Sequence, residues 1–237
     1  MKMSAASQGR AQSGRSSREF TGSGELAEHV CAAIRRSTAI EEPWVHWQIA
    51  GAFPREALGE LVKLPLSPPI PGGLSGRREY QNESRIYFDR TNMARFPVMR
   101  RVAEAMQSPA VLSAVSETFG APLDRTFLRI EYALDMDGFW LEPHTDIGAK
   151  KFTCFVYLKG EGDLGTDIHA DAQTFAWRVP FVPNTALAFV PRDNTWHGFA
   201  KRPIAGVRRS LIINFVGAEW RAREQLAFPD APVRLAR

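Results

Sequence analysis

The chain of 237 residues has only two cysteines, Cys31 and Cys154. That scarcity excludes both a disulfide framework and the ligand spacing of a zinc finger. Cys154 sits in the apolar run Phe152-Thr-Cys-Phe-Val-Tyr-Leu158 and reads as a small core residue; a reducing cytoplasm is the expected setting. Also missing is any apolar run near the roughly 18 residues a membrane-spanning helix needs, so no membrane partner is expected. Residues 1–24 lack the apolar segment of a secretory signal and are rich in Ser, Gly, Ala and Gln. They are expected to form a disordered leader, since so little apolar surface cannot offset the entropy of ordering. Neither sign of charge dominates: the net charge is +4, and so small a basic excess gives little ground for a nucleic-acid partner.

What is present is an ordinary globular mixture, 44% hydrophobic and 24% charged, long enough for one well-cored domain over 25–237. Within it, 25–126 reads as helical support and substrate wall. Helical spacing of apolar residues marks 25–36 and 54–63, with Pro54 able to occupy a first turn. Further helices are expected over 97–107 and 109–119, the last with Ser108 as N-cap and Gly120 just past its end. Residues 43–53 read as a short strand near the edge of the fold, and 84–89 as another short strand. The Pro, Gly and Ser of 65–76 mark a mobile loop.

From 127 to 217 the texture changes. Short β-rich runs occupy 127–134, 139–144, 152–158, 166–170, 174–179, 186–190, 196–200 and 208–215, separated by turn residues. Helices first and eight strands later make a mainly β fold with N-terminal helices: a double-stranded β-helix, or jelly roll. Residues 218–237 form a C-terminal tail.

The chemistry-bearing residues lie in the strand-rich part. His144 and Asp146 are two apart, so an extended segment turns both to one side. His197 follows about fifty residues later, at the start of another short strand. Two imidazoles and one carboxylate on one face of an octahedron leave positions open, the arrangement associated with oxygen-activating ferrous iron. Zinc hydrolysis through the same ligands has no general base supplied beside it. Arg208 and Ser210 are again two apart on a β-rich run, with Leu211 and Ile213 turned to the opposite side. An arginine beside a hydroxyl can clamp a carboxylate; an arginine pair on a surface edge strand would give the same pattern.

Together, His144-Thr-Asp146, His197 and Arg208-Arg-Ser210 resemble the signature of the iron(II)- and 2-oxoglutarate-dependent oxygenases. The run 152–158 is similar to the strand after His-x-Asp in the prolyl-hydroxylase-like branch, and 184–189 also resembles these bacterial enzymes. The resemblance covers roughly 127–217. It implies Fe(II) on His144, Asp146 and His197, with 2-oxoglutarate held by Arg208, Ser210 and Tyr157. It also implies O2 as oxidant, ascorbate as a supporting reductant, and 2-oxoglutarate converted to succinate and CO2 as a C–H bond is hydroxylated. Relatives that halogenate carry Gly or Ala where this chain has Asp146, so halogenation is not expected.

The expected substrate is a small molecule, an amino acid or biosynthetic intermediate. Arg129 and Glu131 share one side of the run 128–132 and are candidates to recognise a charged substrate; a solvent-facing strand side is the alternative. Trp140 and Trp196 flank the metal ligands and are candidate pocket walls, or plain core. Arg85 and Arg90 read as surface charge, and Asp167 with His169 as structural. A prolyl-type protein hydroxylase is the second reading. Nucleic-acid demethylation is disfavoured because that branch carries an arginine six residues after the cosubstrate arginine, where this chain has Asn214. A non-enzymatic jelly-roll binding domain would need an incomplete metal set. Self-association is left open.

Overall fold

The computed structural model describes residues 22–68, 76 and 85–235. Most of the expected leader and most of the Pro/Gly-rich loop lie outside the described residues; Ser23 and Gly24 already belong to the first helix.

Two antiparallel sheets face each other. The larger has seven strands: β1 (Thr38–Ile40), β2 (His46–Ala50), β3 (Arg85–Tyr87), β4 (Phe127–Met136), β6 (Lys150–Lys159), β9 (Thr185–Phe189) and β11 (Val207–Val216), in spatial order β1-β2-β9-β6-β11-β4-β3. The smaller holds β5 (Leu141–His144), β7 (Asp167–His169), β8 (Phe175–Arg178) and β10 (His197–Phe199), in order β5-β10-β7-β8. From β4 onward the chain passes back and forth between the sheets, and this is the expected jelly roll. The eight strand segments read over 127–217 are all present. The N-terminal half adds three strands to the large sheet. Of these β2 is internal, paired to both β1 and β9, rather than lying at the rim.

The helices α1 (Ser23–Arg35), α2 (Arg55–Val62), α3 (Arg90–Arg95), α4 (Pro97–Met106) and α5 (Pro109–Phe119) precede the barrel strands. In α5 the Ser108 hydroxyl accepts from the Val111 amide, and Gly120 ends the helix at φ 67°, a left-handed position that favours glycine. The sequence reading missed α3, whose start is capped by Asp89 accepting from the Asn92 amide at 2.7 Å.

Period-two alternation decides where the core lies. Even-numbered residues of β4 (Leu128, Ile130, Tyr132, Leu134) and of β6 (Phe152, Cys154, Val156, Leu158) join odd-numbered Leu211, Ile213 and Phe215 of β11 in one cluster with α1, α4 and α5. Each such large side chain contributes about 1.5–3 kcal/mol on burial. The opposite parity faces the barrel, and there polar and charged residues (Arg129, Glu131, Asp135, Thr153, Arg208, Ser210, Asn214) stand among a few apolar ones such as Phe155 and Ile212.

Candidate metal centre and its surroundings

β5 and β10 bring the two histidines together by register: His197 lies directly opposite His144 in the antiparallel pair, and their ring centroids are 4.4 Å apart. Asp146 follows β5 on the turn beyond it. One ligand atom from each of His144, Asp146 and His197 lies within 4.8 Å of the others. Gly198 permits this close pairing, because a Cβ there would meet the Leu141 carbonyl oxygen at 2.9 Å and the Glu142 backbone at 3.2 Å.

Both rings are oriented the same way. Nδ1 of His144 lies 2.9 Å from the Glu142 carbonyl, and Nδ1 of His197 lies 2.9 Å from the Thr195 carbonyl. A carbonyl can only accept, so Nδ1 is the protonated nitrogen in each ring and Nε2 carries the lone pair. Outer hydrogen bonds of this kind fix metal-binding imidazoles. Burial, with His144 adjacent, holds the His197 pKa down at about 3, so the ring is neutral at ordinary pH. Burial alone would raise the Asp146 pKa. Lys150 and His197, with hydrogen bonds from Lys150 and Thr153, outweigh it and hold the carboxyl well below its usual range. A neutral His197 and an ionised Asp146 are protonation states that suit a divalent cation. By donor chemistry, orientation and charge, the three residues fit iron.

The carboxylate of Asp146 is held on both oxygens, one by the Lys150 ammonium and the other by the Thr153 hydroxyl at 2.6 Å. Thr153 in turn accepts from Asn214 Nδ2 at 2.9 Å, and Asn214 Oδ1 accepts from Arg129 at 3.2 Å. Lys150 and Thr153 were not singled out from sequence, and Asn214 only as the place where a demethylase would carry arginine. The signal was there: stepping by two from Arg208 and Ser210 reaches Asn214, and stepping back by two from Tyr157 reaches Thr153.

A small cavity of about 40 Å³, lined by His197, Arg208, Thr166, Phe155 and Arg85, lies beside the triad. Its volume is on the scale of one water or a carboxylate group. Arg208 donates through Nε to the Leu164 carbonyl at 2.8 Å and through Nη1 to Asp135 at 2.5 Å. Two of the five guanidinium donors are thus used. Ser210 Oγ is buried without a hydrogen-bond partner. The Tyr157 hydroxyl donates to Thr166 Oγ1 at 2.9 Å and accepts from the Thr166 amide at 3.2 Å, so it is Thr166 that reaches the cavity. Burial pushes the Tyr157 pKa up.

A larger cavity of about 310 Å³ lies along His144 and Asp146, and Arg129, Lys150, Trp220 and Gln225 line it. Arg129 and Glu131 do share the barrel side of β4, as the alternation implies, and both are buried. The Arg129 guanidinium lies over the Tyr87 ring at 4.9 Å and the Trp220 ring at 4.7 Å. Trp220 and Gln225 come from the segment read only as a C-terminal tail. That segment packs on β4 through the Ala227 amide, which donates to Leu128 O at 3.0 Å, and through buried Leu226.

Arg85 corrects the expectation of surface charge: it is buried, because β3 pairs with β4 and turns this side chain into the barrel, where Asp135 accepts from it at 2.6 Å. Arg90 is exposed and pairs with Asp230. Trp140 and Trp196 are half-buried and line neither cavity. The Trp140 ring fills the space where a Gly76 Cβ would stand, and the Trp196 carbonyl accepts from the His169 amide. Asp167, opposite Gly198 in the sheet, is tied to Arg178, Arg202 and the Ala200 amide and acts as a structural node.

No known family profile and no curated protein matches this chain. Solved structures do. A Pseudomonas putida prolyl-4-hydroxylase aligns with a TM-score of 0.52 at 16% identity, over 81% of this chain and 99% of its own. A prolyl 4-hydroxylase from Phytophthora capsici gives 0.54 at 16%, over 86% and 68%. An oxidoreductase of the 2OG-Fe(II) oxygenase family from Burkholderia pseudomallei gives 0.52 at 18%, over 86% and 96%. At these identities the likeness is one of fold, and that fold is the jelly roll of the 2-oxoglutarate oxygenases.

Proposed function

We propose that this protein is an iron(II)- and 2-oxoglutarate-dependent dioxygenase that hydroxylates a C–H bond of a small molecule, with succinate and CO2 as co-products. The observation that carries the reading is the convergence of His144, Asp146 and His197, with both rings presenting Nε2, beside a cavity of small-molecule size. Iron, when bound, supplies the activation of O2 that no side chain can.

The chain's own residues do the rest. Arg208, with three guanidinium donors not engaged by protein, takes the far carboxylate of 2-oxoglutarate, and Ser210 supplies the hydroxyl that otherwise has no partner. Tyr157 acts through Thr166, aiming that hydroxyl into the small cavity. Phe155 and Phe189 pack on the His197 ring at 5.7 and 5.0 Å and keep water from its inner side. Thr153 and Lys150 hold the Asp146 carboxylate ionised and oriented.

Purified protein given Fe(II), 2-oxoglutarate and ascorbate is expected to form succinate slowly without a substrate. Absence of succinate together with absence of anaerobic 2-oxoglutarate binding would sink the proposal. Arg208→Ala is expected to raise the 2-oxoglutarate requirement with iron still bound; an unchanged requirement points to another anchor.

A prolyl-type protein hydroxylase is the second reading, favoured by the fold shared with prolyl hydroxylases. Against it, the larger cavity is bounded by Trp220, Ala222 and Gln225 and suits a compact substrate. Succinate formation stimulated by proline-containing peptides, but by no small molecule, would reverse the preference. Demethylation of nucleic acid is disfavoured because Asn214, where that branch carries arginine, is buried inside the barrel and bonded to Thr153.

A further inference from the structure

The barrel-facing positions of β3, β4 and β11 hold a line of five ionised side chains. Arg208 donates to Asp135 at 2.5 Å, and Asp135 also accepts from Arg85 at 2.6 Å. Arg85 Nε stands 3.8 Å from Glu131, which accepts from Arg129 at 2.7 Å. The signs alternate, and the line begins and ends in a cation. Each carboxylate serves two guanidiniums, whereas each end guanidinium has one carboxylate. Among the described residues, three guanidiniums therefore face two carboxylates, all of them buried. An uncompensated buried charge is strongly unfavourable, so the line is built to receive anions, and its ends are where they fit.

The two ends open on different cavities: Arg208 on the small one beside His197, Arg129 on the larger one along His144 and Asp146. We infer that the Arg129 end is a second anion site, and that the substrate is a small monocarboxylate whose carboxylate Arg129 receives. This rests on the oxygenase reading above, which gives the Arg208 end to 2-oxoglutarate.

Arg129 is prepared for such a role. Tyr87 and Trp220 hold the plane of its guanidinium, and Gln225, Glu131, Asn214 and the Tyr87 hydroxyl take four of its five N–H groups. The fifth, on Nη2, is left for a ligand, and a guanidinium so fixed loses little freedom when it binds. Lys150, the other cation lining this cavity, is committed to Asp146. Leu141, Ile147 and the Trp220 ring supply apolar walls for a carbon skeleton. The exposed carboxylate of Glu142 also lines this cavity, and it disfavours a second negative charge on the ligand.

The test is calorimetric titration of the anaerobic Fe(II) protein at saturating 2-oxoglutarate with 3-phenylpropionate, hexanoate and indole-3-acetate, each beside its own primary amide. At least one acid is expected to bind about tenfold or more tighter than its amide. Arg129→Met with Glu131→Gln removes an ion pair whole and is expected to abolish that preference. Arg208→Met is expected to weaken 2-oxoglutarate more than the acid, the reverse of the Arg129 variant. If the double variant does not fold, Arg129→Lys keeps the charge without the fork, and is expected to cut the preference at least threefold. The inference is overturned if no acid binds, if acid and amide bind alike, or if the preference survives these Arg129 changes. An Arg129-dependent preference in a protein that binds no 2-oxoglutarate would instead leave the anion site standing and bring down the oxygenase reading.

Discussion

The two faces of the large sheet are made by the same strands and have opposite chemistry. On β11, Leu211, Ile213 and Phe215 enter the core under the helices, while Arg208, Ser210 and Asn214 face the barrel. On β4, Leu128, Ile130 and Tyr132 go one way, and Arg129, Glu131 and Asp135 the other. Both faces are buried, so burial does not distinguish them; parity along the strand does. The helix-facing side gains stability from removing apolar surface from water. The barrel-facing side holds charges at a cost, which pairing between carboxylates and guanidiniums offsets in large part.

The comparison can be broken most severely at the metal ligands. Asp146→Ala is expected to abolish iron binding and succinate formation, measured by metal content and product assay, while the protein still melts cooperatively. Loss of the fold along with the metal would mean the faces are not separable. Next come single deletions on either side. Phe215→Ala should cost about 3–5 kcal/mol of unfolding free energy, and Asp135→Ala a similar amount, about 3–5 kcal/mol, by stranding Arg85 and Arg208. In denaturant melts the two should look alike. They part in ligand binding: Asp135→Ala is expected to change 2-oxoglutarate affinity, and Phe215→Ala to leave metal affinity near wild type. Identical ligand profiles would erase the distinction between the faces.

Thr153→Val removes two hydrogen bonds at nearly constant volume, the one to Asp146 and the one from Asn214. It should weaken metal affinity by about 10–100-fold, the usual scale for an outer partner of a ligand, and cost the metal-free protein about 1–3 kcal/mol by stranding the buried Asn214 amide. An unaltered metal affinity would show that Lys150 alone orients the carboxylate.

The gentlest probe, which changes no residue, is pH. The His197 pKa is about 3 when folded, against roughly 6.5 unfolded, so between these values the unfolded chain binds the extra proton. Stability of the metal-free protein should therefore fall as pH drops from about 6.5 toward 3, by at most about 1.4 kcal/mol per pH unit. Asp146, with its folded pKa depressed, loses its stabilising contribution below the ordinary carboxylate range, adding to the decline at the acid end. His197→Gln should flatten the upper part of this window in chelator-treated protein; an unchanged slope would assign the effect elsewhere.

Much of this was legible before any coordinates. The barrel strands announced themselves through β-rich runs between turns, and the triad through its two-residue spacing and the later histidine. What the sequence hid were partners set by register. Asp135 lies opposite Arg208, and Arg85 opposite Ala133; no local pattern fixes which strands adjoin. Arg85 therefore looked like surface charge, and Trp220 like part of a tail, until packing placed them inside. Trp140 and Trp196 show the opposite failure: closeness in sequence to a ligand did not bring either ring to a cavity, because each lies just ahead of its strand, outside the regular alternation.

Gly198 leaves room for the Leu141 carbonyl where any other residue would put a methyl group or more. In coordination terms, a residue with no side chain sets the bite of the site. Gly198→Ala would act as a shim between the two ligand-bearing strands, displacing one histidine from the other without touching either. The set of ions the triad accepts, and not only how tightly it accepts one, is thus adjustable from a position that never meets the metal.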